Sequence, residues 1–330
     1  MRVIAFEEAM RSQPAALAHL ESRLRGELRE FPAGVARWRK GDTVALLGMG
    51  AAHHSTHALA QVLRQTGFRV LNTPASEIEG AEPAALGDHV VVVTESGRSP
   101  EPIEAARRFP VGHRLVITNE PNAPVRQVAD AVVGLGGFAD SRAYTVGFTA
   151  MLLAYDRLAA ALALNADERG GVTEAVVTAL DEFASPAAGL ATSIAHASAI
   201  DVVGSGASFA AAAEIALLAR ECLRIPSAAF ETKQYLHGPM ESVGPGTTVI
   251  VIGDGREREI PESLQSSGAG FVVIGSRSAG REPHFDVGDT HGFARVAAEV
   301  VAGQHLVAAA IGLLPFTIEE FVHGQPDTKL

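Results

Sequence analysis

The chain has 330 residues, 47% of them hydrophobic and 5% aromatic, and a formal charge of −11 at pH 7. This length suits two ordinary domains, each able to bury its own core, and the apolar share excludes a largely disordered chain. Net acidity argues against nucleic acid, which is held by extended Lys and Arg patches, and the lone cysteine, Cys222, excludes an internal disulfide and a Cys-based metal cage while fitting a reducing cytoplasm.

In chain order, Met1 to Phe6 lead straight into Glu7 and Glu8, without the basic and apolar segments of a signal peptide. Residues 1–40 are expected to form a helical lead-in ending in the basic stretch Arg37–Lys40. Asp42–Ala52, DTVALLGMGAA, predicts a buried strand, a Gly-x-Gly turn and a helix continuing over Thr56–Gln65. Further strands are predicted at Val90–Val93 and Leu115–Thr118, with a helix at Pro100–Phe109 between them. Residues 166–198 read as a helical connection.

The series then returns. Ile200–Ser208, IDVVGSGAS, repeats the strand and turn, Phe209–Cys222 the helix, and Val249–Ile252 and Val272–Gly275 the next two strands. Gly48 and Gly50 map onto Gly204 and Gly206, Val90 onto Val249 and Leu115 onto Val272, each at a shift of about 157 residues. Strands alternating with Ala-rich helices predict an α/β chain of tandem copies, residues 41–165 and 199–330, each a parallel sheet flanked by helices. The longest clean apolar run, Leu306–Phe316, is shorter than the about 20 residues of a membrane span, so it reads as a buried helix of a soluble protein.

The Gly-x-Gly turns do not complete a dinucleotide fingerprint, because His53 and Phe209 stand where a third glycine belongs. After the second strand, Thr94-Glu95-Ser96-Gly97-Arg98-Ser99-Pro100 places three hydroxyls and a glycine at a helix N-terminus. Such a loop suits an anion, although Ser99 could equally be a plain helix cap. The matching loop of the second copy, Gly253-Asp254-Gly255-Arg256, lacks hydroxyls and adds a carboxylate, so one cradle per chain is expected. Glu214 and Glu221, seven residues apart, share a helix face, and a buried carboxylate there could act as base towards a carbon acid. His237, ahead of Gly238-Pro239, falls where helix must end. His53 and His57 have the spacing of metal ligands, but without a third ligand nearby they read, with His54, as surface or subunit-contact histidines.

These residues together resemble the double sugar-isomerase (SIS) domain family, whose members include the isomerase half of glucosamine-6-phosphate synthase. The resemblance covers nearly the whole chain. Phe6–Leu20, FEEAMRSQPAALAHL, is similar to the family lead-in M-x-x-E-I-x-E-Q-P, and TESGRS at Thr94–Ser99 stands where the family has S-Q-S-G-E-T. Gly204–Pro239 follows the second-domain segment without a gap, from G-x-G through A-L-x-L-K-E to K-H-G-P, with Glu221 and His237 sixteen residues apart.

The resemblance implies two tandem SIS domains of flavodoxin-like three-layer form. It implies phosphate contacts from Thr94, Ser96 and Ser99, with Gly50, Ala52, Glu95, Gly97 and Thr145 also lining the substrate. Glu221 is the implied base at C1/C2. His237 is the implied ring opener, reaching into a neighbouring subunit of a homodimer. The substrate class is a sugar 6-phosphate, with no metal or organic cofactor and neither nucleic acid nor membrane as partner. The sequence departs from the pattern where Ala52 replaces a hydroxyl residue, Glu95 a glutamine, and Leu218 the lysine three residues before the base. Lys233 and Lys329 are candidates to replace that lysine, Lys329 because the family has a functional lysine near its C-terminus. The chain begins at the isomerase lead-in, so glutamine-dependent synthesis is not expected. The expectation is an isomerase or deaminase of a hexosamine or ketosamine 6-phosphate. The alternatives are a fructosamine-6-phosphate deglycase and a non-catalytic phosphosugar sensor.

Overall fold

The computed structural model describes residues 2–28, 38–120, 122–164, 171–276, 282–318 and 321–324. Two five-stranded sheets are built, and every pairing within them is parallel. The first comprises β1 (Thr43–Gly48), β2 (Arg69–Pro74), β3 (His89–Val93), β4 (Arg114–Thr118) and β5 (Ala131–Gly134), in spatial order β2-β1-β3-β4-β5. The second comprises β6 (Ala199–Gly204), β7 (Ser227–Glu231), β8 (Thr247–Ile252), β9 (Gly270–Gly275) and β10 (His284–Asp286), in order β10-β9-β8-β6-β7. Read from their own first strands, both sheets run 2-1-3-4-5, the flavodoxin-like order. The repeat seen in the sequence is therefore a repeat of topology.

The longer helices are α1 (Phe6–Glu27), α2 (Ala51–Gln65), α3 (Pro100–Arg107), α4 (Val146–Ala161), α5 (Val172–Glu182), α6 (Ala184–Ala195), α7 (Phe209–Leu223) and α9 (Gly292–Ile311), with a short α8 (Thr232–Leu236). The central strands are buried on both faces, and alternate residues go to different cores. Val44, Leu46, Val91 and Ile117 of the first sheet join Ile200, Val202, Ile250 and Ile274 of the second in one apolar cluster, filled by α1, α2, α4, α5, α6, α7 and α9. Ala45, Leu47, Val90, Val92 and Val116 face a separate outer cluster with Ile103 and Phe109. Val203, Val249 and Val251 face a third with Tyr235 and Ile260. The helical layer between the sheets is thus shared by both halves.

Helix α1 is tied into that layer by polar bonds as well as apolar packing. Gln13 is fully buried; its Nε2 donates to Gln304 Oε1 of α9 at 2.9 Å, and its Oε1 accepts from Thr149 Oγ1 of α4 at 2.9 Å. A buried amide satisfied on both sides fixes how three helices meet.

The predicted central strands and the helices expected over Thr56–Gln65, Pro100–Phe109 and Phe209–Cys222 are present within a few residues, and α5 and α6 lie within residues 166–198. The stretch read as one buried helix over Leu306–Phe316 is corrected. Helix α9 ends at Ile311, Gly312 caps it, and Leu313 beyond is 52% exposed. Its apolar residues form the last turns of a longer helix that begins at Gly292. By length and composition α9 could span a bilayer, but it is mostly enclosed by protein. Arg37 and Lys329 lie outside the described residues.

Helices α9 and α7 approach closely through Gly303, where an added Cβ would stand 2.3 Å from Ile215 Cγ1 and 3.3 Å from Ile215 Cβ. A β-branched side chain cannot swing aside without leaving its rotamer. Gly303→Ala is expected to destabilise the protein by about 1–3 kcal/mol, read as a lowered midpoint in thermal unfolding.

Candidate active site

Both Gly-x-Gly turns lie at the carboxyl ends of β1 and β6, beside β3 and β8, where the strand order reverses and a crevice opens. Gly48 is needed at the first turn because a Cβ there would meet His53 N at 2.9 Å and Val93 O at 3.0 Å. Gly50 has φ +53° and is exposed, and α2 begins directly after it. Ala52 turns its methyl into the core at 3% exposure.

The loop after β3 is held by its own backbone. Thr94 Oγ1 accepts from Gly97 N at 3.2 Å, Thr118 Oγ1 donates to Glu95 O at 3.0 Å, and Val125 N donates to Gly97 O at 3.1 Å. Gly97 has φ +59°, and a Cβ there would stand 2.3 Å from Ala123 Cβ, so only glycine fits. Ser99 is the N-cap residue of α3, with Pro100 first in the helix, yet its side chain makes no capping bond. Ser96 is partly exposed and Arg98 exposed on the same loop. The result is a hydroxyl-bearing helix N-terminus with a cation beside it.

Glu95 does not face this cradle's solvent side. It is 2% exposed, its carboxylate lies against Gly147 at the start of α4, and it accepts a hydrogen bond from the Tyr144 phenol. Burial, then the carboxylates of Glu95, Asp140 and Glu214, push Tyr144 well above its ordinary value, so the phenol stays protonated. Thr145 is fully buried and gives its hydroxyl to Asp140, whose carboxylate also accepts from Gly147 N at 2.7 Å and Ser141 N at 2.8 Å. Thr145 and Asp140 thereby form the floor under the loop and cap α4.

Between the two sheets, α2 packs against α7. His57 meets Phe209 edge to face with ring centroids 4.8 Å apart, and Gly206 of the second turn lies near the Gln61 side chain of α2. His54 Nδ1 pairs with Glu214 Oε2 at 3.3 Å. The three histidines, read from sequence as surface or subunit contacts, therefore sit partly buried where the halves meet. Burial, then neighbouring histidines, lower His53 and His57 to about 4, so both are neutral at pH 7. Among the described residues no group of three or more His, Cys, Asp or Glu has a metal-holding arrangement.

Glu214 and Glu221 do share a face of α7. Glu214 is fully buried, and burial raises its pKa. Burial, then the Glu214 carboxylate, push Glu221 up to about 7. A carboxyl so placed is half ionised near neutrality, which is what a general base at pH 7 requires. Tyr144 touches Glu95 and feels Glu214, so the cradle loop and the face of α7 belong to one electrostatic cluster.

Leu218 is fully buried in the shared core, Lys233 is exposed on α8, and Lys329 is outside the described residues. His237 is exposed at the end of α8, its backbone N–H donating to Gln234 O at 3.1 Å. Among the described residues no hydrogen bond or ion pair joins His237 to Glu221.

The crevice of the second sheet is filled by protein. Glu257 is 2% exposed; its Oε1 accepts from Ser205 Oγ at 2.6 Å and from Thr232 Oγ1, and its Oε2 lies against Gly255 and Gly253. Hydroxyls and glycines here surround a carboxylate carried by the chain itself. The carboxyl edges of the two sheets therefore differ. Sequence reading missed Glu257, Tyr144, Asp140 and the His54–Glu214 pair, since each partnership joins residues remote in sequence or through a loop of unremarkable composition.

Gly97→Ala is expected to strain the loop by about 1–3 kcal/mol and weaken inorganic phosphate binding about tenfold in calorimetric titration; unchanged affinity would remove this loop from the site. In carbon-13 NMR the Glu221 carboxyl should titrate near pH 7, and Glu214→Gln should lower that midpoint by removing the neighbouring charge.

A family model for the SIS domain matches residues 193–267. Glutamine–fructose-6-phosphate aminotransferase (isomerizing) of Sulfolobus acidocaldarius is 23% identical over 246 residues, 71% of this chain and 40% of that protein, so the chain spans less than half the length of this curated relative. Tagatose-6-phosphate ketose/aldose isomerase from Escherichia coli superposes with a TM-score of 0.75 at 20% identity, covering 97% of this chain and 96% of its own. Glucosamine-6-phosphate deaminase from Thermotoga maritima does so at 0.70 and 19%, covering 94% and 98%. The match to the SIS-domain model is confined to residues 193–267, and along nearly its whole length the chain shares the tandem α/β/α fold of these two solved proteins.

Proposed function

We propose that the protein is a phosphosugar isomerase or aminosugar-phosphate deaminase acting on a hexosamine or ketosamine 6-phosphate. The observation that carries the reading is Glu221, a carboxyl pushed up to about 7 on α7, the helix that packs against α2 of the other half. The names of the compared proteins all contain a hexose or hexosamine 6-phosphate, which supports the substrate class. In this reading residues 41–165 supply the cradle and residues 199–330 the base, joined by 166–198 and preceded by the lead-in 1–40. Neither half works alone.

The phosphate docks against Ser96, Ser99 and the Arg98 side, with Thr94, Gly97 and Gly50 shaping the loops. Ala52 offers no hydroxyl, and Glu95 is held away by Tyr144. His237 opens the sugar ring. Its exposure supports action on the site of a second copy in a homodimer. Glu221 then removes the proton from C1 or C2 of the open chain and returns it to the adjacent carbon through an enediol or enamine. Lys329 is a further candidate for the site.

A second reading, a phosphosugar sensor with little catalysis, is favoured by one observation: the position three residues before Glu221 is Leu218, sealed in the core without a cation. A thermal-shift screen of hexose and hexosamine 6-phosphates, followed by turnover of whatever binds, separates the two. Wild type should exchange deuterium from solvent into C1 or C2 of bound fructose 6-phosphate or glucosamine 6-phosphate, and Glu221→Gln should abolish it. Because the base must be ionised and its pKa is raised, kcat/KM should rise with pH through about 7. Binding without exchange or turnover would establish the sensor. Mixing Glu221→Gln with His237→Asn protein should restore activity lost by each alone if His237 crosses between copies.

A further inference from the structure

We propose that His54 is the acid that protonates the substrate's carbonyl oxygen as Glu221 takes the carbon-bound proton, and that Glu214 is the residue that positions it. This rests on the phosphosugar reading above and adds to it the electrophilic half of the proton transfer. Removing a proton next to a carbonyl leaves charge on oxygen, and an unassisted enediolate is costly in a cleft shielded from water. Glu221 supplies only the base.

His54 lies near the start of α2, just beyond Gly50, at the same sheet edge as the loop over residues 94–99. Its Nδ1 faces Glu214 Oε2 at 3.3 Å, with the His54 side chain 23% exposed and Glu214 fully buried. The carboxylate therefore anchors the Nδ1 edge of a ring that is otherwise partly exposed. Glu214 also sits two helical turns before Glu221 on one face of α7 and perturbs it electrostatically, which places the His54 anchor beside the base. Glu214 Oε1 has no hydrogen-bond partner among the described residues, so His54 is the contact that stabilises this carboxylate. Leu218 between the two glutamates is apolar and sealed, and Lys233 points from an exposed helix. His57 is engaged with Asn72 at 3.2 Å and kept neutral.

The proton count closes. When the His54–Glu214 pair holds its proton, Nε2 carries a hydrogen whether the shared proton lies on nitrogen or on oxygen. Glu221 accepts the carbon proton, the C–H electron pair becomes the new C=C bond, and the carbonyl π pair moves to oxygen, which takes the proton from Nε2. For isomerisation the second half runs on the other carbon: Glu221 returns its proton to the former carbonyl carbon, the C=C pair forms that C–H bond, and the hydroxyl on the carbon first deprotonated gives its proton to Nε2 as the new carbonyl forms there.

His54→Asn tests the proposal, because the asparagine amide can still donate to Glu214 while the outer nitrogen is lost. The first readout is nitrogen-15 NMR of histidine-labelled wild type titrated with D-glucitol 6-phosphate, an open-chain sugar phosphate that cannot isomerise. The expected result is a shift of the His54 Nε2 resonance, assigned by its loss in His54→Asn, and no such shift with inorganic phosphate, which fills the cradle alone. In turnover, His54→Asn should lower kcat by about 10²-fold or more with KM nearly unchanged. Glu214→Gln should lower kcat less and displace the His54 Nδ1 resonance. If glucitol 6-phosphate moves the Ser96 and Gly97 amides but leaves His54 Nε2 unmoved, or if His54→Asn turns over normally, this proposal is overturned and the phosphosugar reading stands. If those amides do not move either, both are overturned.

Discussion

The packing of α2 against α7 in the apolar layer between the sheets is the contact on which the rest of the molecule depends. Each helix starts at the Gly-x-Gly turn of its own sheet and the two run antiparallel, since His54, His57 and Gln61 of α2 meet Glu214, Phe209 and Gly206 in reverse order. The carboxyl edge of β1 therefore lies towards the later turns of α7, which carry Glu221. Burial of Leu46, Leu59, Leu218 and Val300 in one cluster supplies the drive, since apolar area removed from water contributes about 25 cal/mol per Å². Polar groups sited along that seam are carried into low dielectric by a force to which they contribute nothing. The perturbed carboxyls of Glu214 and Glu221 are a by-product of hydrophobic assembly.

That environment would be prohibitive for isolated charges, and the structure relieves it group by group. Asp140 is buried against backbone N–H groups at the start of α4, Glu95 against a phenol, and Glu214 against an imidazole. Glu221 is given no such partner, and its charge is correspondingly unstable. Burial raises Asp140, Glu214 and Glu221 alike, so what sets Glu221 apart is that it is only partly buried and has no hydrogen-bond partner among the described residues.

The central strands, the helices between them and the parallel sheets were legible because they rest on local patterns: β-branched runs, Ala-rich helices and glycine turns. Edge strands were not legible. Arg69–Pro74 and His284–Asp286 are half-exposed or very short, and neither carries the apolar run that marks a central strand. The Glu214–Glu221 spacing was readable as a shared face, but the partner of Glu214 was not, since His54 lies 160 residues away in the chain. The orientation of Glu95 was equally hidden, because it depends on Tyr144 and on the absent side chain of Gly147. The run ending at Phe316 misled because apolar composition persists past the residue, Gly312, at which the helix geometry stops.

Glu257 gives the duplicated architecture an asymmetry of another kind. A carboxylate tethered to the backbone occupies its crevice at an effective concentration that no dilution changes, so the second sheet's carboxyl edge keeps one shape whatever anions surround the protein. The first sheet's edge carries Ser96, Ser99 and Arg98 instead, and the Arg98 charge is felt by the Glu120 carboxylate. Two copies of one topology have thereby come to differ at the same edge, one closed around its own carboxylate and the other bearing hydroxyls and a cation.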